Sequence, residues 1–242
     1  MLIVLSGEGP SDIGACVRGL GECTGNQFQP GPMTRLIDQV IEARLGYSPT
    51  DFDNYHFIGE SRLSQAAAER RANKRKVSLT GKKRGDETGF HHTGAWMLGQ
   101  LALDIANRKN DPATLAVLFR DCDGTRSTPN DEWQRKYDSM VSGFKRAGFE
   151  HGVPMLPRPK SEAWLLGIAQ SHADFSALEE LSGNDASPAS AKKQLADLLG
   201  DTSAQALCEW LDEMQPDLDR LSTMPSFKHF RNRLHQVLDA LR

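Results

Sequence analysis

The sequence predicts an α/β fold: a mostly parallel four-stranded sheet flanked by helices, followed by a helical appendage. Three observations predict it. Short apolar runs alternate with stretches of helical spacing up to about residue 170. Two of those runs, Leu2–Leu5 and Leu115–Phe119, lead directly into carboxylates and glycine. Past residue 172 strand signals stop, while helical spacing continues. Residues 1–170 are therefore expected to form the functional domain, and 171–242 an appendage packed on it.

Taken in order, residues 1–6 read as the first strand, because an apolar run this short lies within strand length. Gly7 to Gly31 is rich in glycine and polar residues, with a short helix expected after Asp12. Leu36, Ile37, Val40, Ile41 and Leu45 place a helix over Met33 to Leu45, stopped by Gly46. Tyr55 to Ile58 is the second strand, and Leu63 to about Lys76 an Ala-rich helix running into a basic block. Ser78 to Asp86 reads as a loop. Trp96, Leu98, Leu101 and Ile105 mark a helix over Gly94 to Arg108. Leu115 to Phe119 is the third strand, Trp133 to Ala147 a helix ended by Gly148, and Val153 to Leu156 the fourth strand. Ser161 to Ala169 is a helix, and Pro188–Leu199, Ala204–Met214 and Phe227–Leu241 supply the helical tail.

Composition excludes several classes. Hydrophobic content of 38% and charged content of 25% suit a soluble globular chain, not a disordered or fibrous one. No apolar stretch approaches the ~20 residues that span a bilayer. Met1–Leu5 lacks the basic start of a signal peptide. Cys16, Cys23, Cys122 and Cys208 have no zinc spacing, so free thiols in a cytoplasmic protein are expected. A net charge of −3 makes the whole chain no polycation, yet Arg70, Arg71, Lys74, Arg75, Lys76, Lys82, Lys83 and Arg84 form a block with no acid among them. Such a block is either a solvated segment or a grip on a nucleic-acid backbone.

The chemistry lies at the strand ends. Glu8, flanked by Gly7 and Gly9, follows the first strand, and Asp12 lies four residues on. Asp121 and Asp123 follow the third strand and, if the chain there is extended, face the same side. Carboxyl ends of parallel strands converge on one crevice, so carboxylates about a hundred residues apart can meet. Their mutual repulsion is relieved by a hard cation, and an oxygen-only donor set suits Mg2+ or Mn2+. Thr125 could hydrogen-bond a ligand or cap the next segment. Lys160, at the start of a helix, could face a phosphate, with Glu162 in the first turn beside it. His91 and His92 are adjacent, point different ways, and are expected to serve structure or surface.

Gly7-Glu8-Gly9-Pro-Ser-Asp12, Asp121-Cys-Asp123 and the later Lys160 resemble the TOPRIM fold, shared by topoisomerases, bacterial primases and overcoming-lysogenisation-defect nucleases. The nuclease branch is the nearer likeness. Lys160-Ser-Glu-Ala-Trp-Leu-Leu166 is similar to small stand-alone TOPRIM-like proteins found near antiphage defence genes. The likeness covers roughly residues 1–168 and departs at Thr125, where the nuclease branch often has serine.

The resemblance implies Mg2+- or Mn2+-dependent cleavage of DNA, less readily RNA. Glu8, Asp12, Asp121, Asp123 and Glu162 would hold metal, and Lys160 would stabilise developing charge. No Gly-x-x-x-x-Gly-Lys-Ser/Thr motif is present, so an ATPase partner would be a separate chain. Two other readings stand beside this one. The domain could be a non-catalytic sensor or effector that binds an ATPase or phage protein through its helical tail. Alternatively, Asp121-Cys-Asp123-Gly-Thr125 matches the nucleophile loop of haloacid-dehalogenase phosphatases. That loop normally closes the first core strand, and Glu8 would then go unexplained. Self-association is left open.

Overall fold

The computed structural model describes residues 1–72, 86–123, 131–170 and 174–242. The first strand, β1 (Leu2–Gly7), is buried along its whole length, which requires cover on both faces of its sheet. In chain order there follow β2 (Gly14–Cys16), β3 (Glu22–Thr24), β4 (Phe28–Pro30), α1 (Pro32–Leu45), β5 (Tyr55–Ile58), α2 (Glu60–Ala72), α3 (Asp86–Lys109) and β6 (Thr114–Phe119). Next come α4 (Glu132–Ala147), β7 (Gly152–Met155) and α5 (Ser161–Ala169). The tail carries α6 (Phe175–Leu178), α7 (Ala191–Leu199), α8 (Ala204–Met214), α9 (Leu218–Leu221) and α10 (Pro225–Ala240).

The sheet has five strands in the order β3-β5-β1-β6-β7, one more than the four expected. β1 runs parallel to β5 and β6, and β6 parallel to β7. The added strand, β3, is antiparallel to β5, with Cys23 opposite Phe57. It consists of Glu-Cys-Thr in a glycine-rich stretch and has no apolar run to announce it. β2 and β4 form a separate antiparallel pair. The expected short helix after Asp12 is instead a single π-helical turn over Gly9–Ile13.

Alternate side chains of the strands feed two cores. Ile3, Leu5, Leu115, Val117 and Phe119 meet α1, α5 and the tail helices through Ile37, Trp164, Leu211, Phe227 and Phe230. Leu2, Val4, Ala116 and Leu118 meet α2, α3 and α4 through Leu63, Trp96, Leu98 and Phe144. The tail thus shares a core with one face of the sheet. Trp164 Nε1 donates to Ser226 Oγ at 2.8 Å, and Ser226 donates its hydroxyl to Glu179 at 2.6 Å, which ties α5 to α10. Edge strand β7 is capped by Arg233, which donates to the carbonyls of Gly152 and Glu150.

One expectation about the cysteines is corrected. Cys16 and Cys23 are joined in a disulfide, because β2 and β3 bring their Cα atoms to 5.8 Å, while Cys122 and Cys208 are free and buried. Two of the four thiols are therefore not free. Among the described residues no helix is long and apolar enough to cross a membrane.

Candidate active site

β1 and β6 lie side by side, and Gly7 is in register with Phe119. A Cβ on Gly7 would stand 2.8 Å from Phe119 Cβ, so only glycine lets the two strand ends approach this closely. Glu8 comes next, and its Oε1 accepts the backbone N–H of Asp121 at 2.7 Å. The two acidic motifs therefore do meet. Glu8 Oε2 accepts from Arg120 Nη1 at 3.0 Å, and Arg120 Nη2 donates to Glu60 at 2.7 Å. With its side chain 12% exposed, Arg120 is a largely buried clamp between two carboxylates.

Asp12 sits in the π-helical turn and caps no helix. Its Oδ1 accepts the Ser161 hydroxyl at 2.5 Å, and its Oδ2 that of Ser11 at 3.1 Å. Gly9, at φ +74°, makes room: a Cβ there would lie 2.5 Å from Asp12 Oδ2. Asp121 Oδ1 accepts the backbone N–H of Ser161 at 2.9 Å. Burial pushes the Asp121 carboxyl well above the usual range, and the charges of Asp12, Glu162 and Glu8 add to it, while the Ser161 N–H opposes. Glu162 is also raised, by burial first, with Asp12 adding and Lys160 opposing. Glu8, Asp12, Asp121 and Glu162 thus form one electrostatic cluster at the carboxyl ends of β1 and β6.

Asp123 does not join it. Beyond β6 the chain continues alongside the segment after β7, with Cys122 N–H on Pro157 O at 3.2 Å and Asp123 N–H on Pro159 O at 3.0 Å. At Asp123 φ becomes +51°, which ends the extended course that would have aimed it with Asp121. Its side chain is 60% exposed and lies 3.4 Å from Lys160 Nζ. Lys160 in turn donates to Asp185 of the tail at 2.9 Å, and Lys192 stands 3.5 Å from the same carboxylate. Burial works against the charge of Lys160, but Asp185 and Asp123 outweigh it and hold the ammonium above its ordinary range. Buried Lys136 donates to Cys122 O at 2.7 Å and fixes the Asp-Cys-Asp backbone from α4.

Arg120, Ser161, Asp185 and Lys136 were not singled out from sequence, although Arg120 and Ser161 adjoin acidic residues that were. Of the basic block, Lys74, Arg75, Lys76, Lys82, Lys83 and Arg84 lie outside the described residues, as does Thr125. Arg71 is exposed at the end of α2. Arg70 packs its guanidinium 4.7 Å from the centre of the Trp96 ring and donates to Gln100, a structural engagement within the fold. His91 is buried, and burial followed by the Arg146 charge lowers His92.

The donor set fits a hard cation in its chemistry: four carboxylates, with Asp121 penalised by the charge of the other three. As placed, no three carboxylate, histidine or cysteine groups among the described residues stand ready around a single metal position. Both Glu8 oxygens are already hydrogen-bonded, so ligation requires Glu8 to share or exchange those bonds. Compared with known proteins, the chain matches no family model, no curated protein and no solved structure.

Proposed function

We propose that the chain is a TOPRIM-like, Mg2+- or Mn2+-dependent nuclease that hydrolyses phosphodiester bonds in DNA. The observation that carries this reading is the meeting of Glu8, Asp12, Asp121 and Glu162 at the carboxyl ends of two adjacent parallel strands. Those four residues would hold the cation. When bound, it would supply a Lewis acid that draws charge from a phosphoryl oxygen. Lys160, held protonated beside the cluster, would contact the phosphate as negative charge grows. Asp123 and Asp185 position that ammonium, and a phosphate entering would compete with Asp185 for it. Glu8, clamped by Arg120, stays oriented on the Asp121 backbone.

A second reading is favoured by one observation: both Glu8 oxygens already accept protein hydrogen bonds, from Arg120 and from the Asp121 backbone. On that reading the domain is a non-catalytic subunit in antiphage defence that binds a separate ATPase or a phage protein. Nicking of supercoiled plasmid by the purified chain in Mn2+ separates the two. The nuclease reading expects nicking that stops with chelator and in Asp121→Asn. Absence of nicking in wild type, or its persistence in Asp121→Asn, rejects it.

A further inference from the structure

Four carboxylates from three chain segments repel one another, so something must hold them in a shared space. We infer that Ser161 is a positioning residue that orients the Asp12 carboxylate beside Asp121, the arrangement from which an entering cation would recruit both. This inference rests on the metal-site reading above.

Ser161 is 1% exposed and is the first residue of α5. A serine caps a helix from the N-cap position, one residue before the place Ser161 occupies. Here Lys160 occupies the N-cap position and the helix start has no side-chain cap hydrogen bond. The Ser161 hydroxyl goes to Asp12, 149 residues away in sequence, while its backbone N–H goes to Asp121. One residue therefore bonds one oxygen on each of two like-charged groups that follow different strands. The same hydroxyl stands 3.4 Å from Glu162 Oε2, so a third carboxylate shares its position.

Among the described residues no hydrogen bond reaches the other oxygen of Asp121, and that of Asp12 takes only the exposed Ser11 hydroxyl. The backbone next to Asp12 is held by bonds to its neighbour: Ile13 O accepts the Gly31 N–H and the Thr34 hydroxyl, and Gly31 passes so close that a Cβ there would lie 2.3 Å from the Asp12 carbonyl oxygen. The backbone of Asp12 is thus fixed by these contacts, and the direction of its carboxylate by Ser161. Replacing the hydroxyl leaves the Asp121 bond intact, because that bond uses the backbone. The effect should therefore run through Asp12 alone.

The test is Mn2+ binding by the full chain, followed by the loss of the free-ion electron paramagnetic resonance signal, with no reliance on turnover. Ser161→Ala should weaken Mn2+ by about ten-fold or more, the scale of a lost hydrogen bond to a charged group. Ser161→Thr, which keeps the hydroxyl, should restore most of the affinity. Ser161→Gly deletes the same hydroxyl, keeps the N–H and should repeat the loss, and melting curves of both variants in chelator separate lost folding from lost Mn2+ binding. In an Asp12→Asn background Ser161→Ala should add less than about three-fold, whereas in a Glu8→Gln background it should keep its full effect.

Unchanged Mn2+ affinity in Ser161→Ala and Ser161→Gly overturns the inference and leaves the site reading standing. Equal losses in the Asp12→Asn and Glu8→Gln backgrounds also overturn it, since a general packing role would not single out Asp12. A wild-type chain that takes up no Mn2+ overturns the site reading and this inference together.

Discussion

Gly9→Ala probes how the cluster is built. Gly9 has φ +74°, and a Cβ there would lie 2.5 Å from Asp12 Oδ2. The left-handed backbone alone costs an L-residue about 1–2 kcal/mol. The steric contact must also turn Asp12 away from Ser161, losing a hydrogen bond to a charged group at roughly 1.5–3 kcal/mol. The sum is roughly 2.5–5 kcal/mol, less whatever is regained when Asp12 moves away from Asp121. Gly19→Ala is the control. Its φ is +67° and a Cβ would meet nothing within 4 Å, so it carries the backbone term alone.

For a chain of 242 residues each kcal/mol moves Tm by about 2–4 °C. Gly9→Ala should therefore melt roughly 3–12 °C below Gly19→Ala, measured by scanning calorimetry in chelator at pH 7. Mn2+ affinity should fall in Gly9→Ala and stay at the wild-type level in Gly19→Ala. Equal melting and equal Mn2+ binding in the two variants would refute the claim that Gly9 exists to seat Asp12.

Further outcomes follow from the same geometry. The Asp121 carboxyl is raised by burial and by its acidic neighbours, so its stabilising contribution is complete below about pH 3.9 and lost as pH rises through the folded value. Denaturant melts in chelator should show wild type weakening over that rise and Asp121→Asn weakening less; parallel curves would contradict the cluster. Arg120→Ala leaves Glu8 and Glu60 without their shared cation; because both carboxylates reach solvent, the loss should be about 1–3 kcal/mol in the same melts. Arg70→Ala should lower stability by about 0.5–2 kcal/mol through the lost Trp96 contact, readable by melting. Neutralising Arg71, Lys74, Arg75, Lys76, Lys82, Lys83 and Arg84 should flatten the salt dependence of DNA binding by about 0.9 per lost phosphate contact, read by filter binding. Hydrolysis of p-nitrophenyl phosphate that needs Asp121 but not Glu8 would favour the phosphatase chemistry instead.

Much of the frame was legible because its signals are local. Leu2–Leu5, Tyr55–Ile58 and Leu115–Phe119 are apolar runs of strand length, and all three became buried parallel strands. Leu36, Ile37, Val40 and Ile41 face one core, as their spacing required. The meeting of Glu8 with Asp121 was also legible, since adjacent parallel strands end at the same edge.

What was missed depends on tertiary placement. β3 is three polar or small residues, visible only once β5 offers it an edge. The start of α3 at Asp86 overlaps a segment whose glycines read as a loop. Asp123 departs from Asp121 because one dihedral reverses sign, and no i, i+2 pattern records that. Ser161 and Asp185 act across 149 and 25 residues of chain, so no motif spacing could reveal their partners.

The most direct test of the central claim is the position of Mn2+ in a crystal of the wild-type chain, read from its anomalous scattering. The account predicts one or two Mn2+ ions at the carboxyl ends of β1 and β6, ligated by oxygens drawn from Glu8, Asp12, Asp121 and Glu162. Mn2+ ligated elsewhere, with those four carboxylates bonded only to protein at saturating metal, would contradict it.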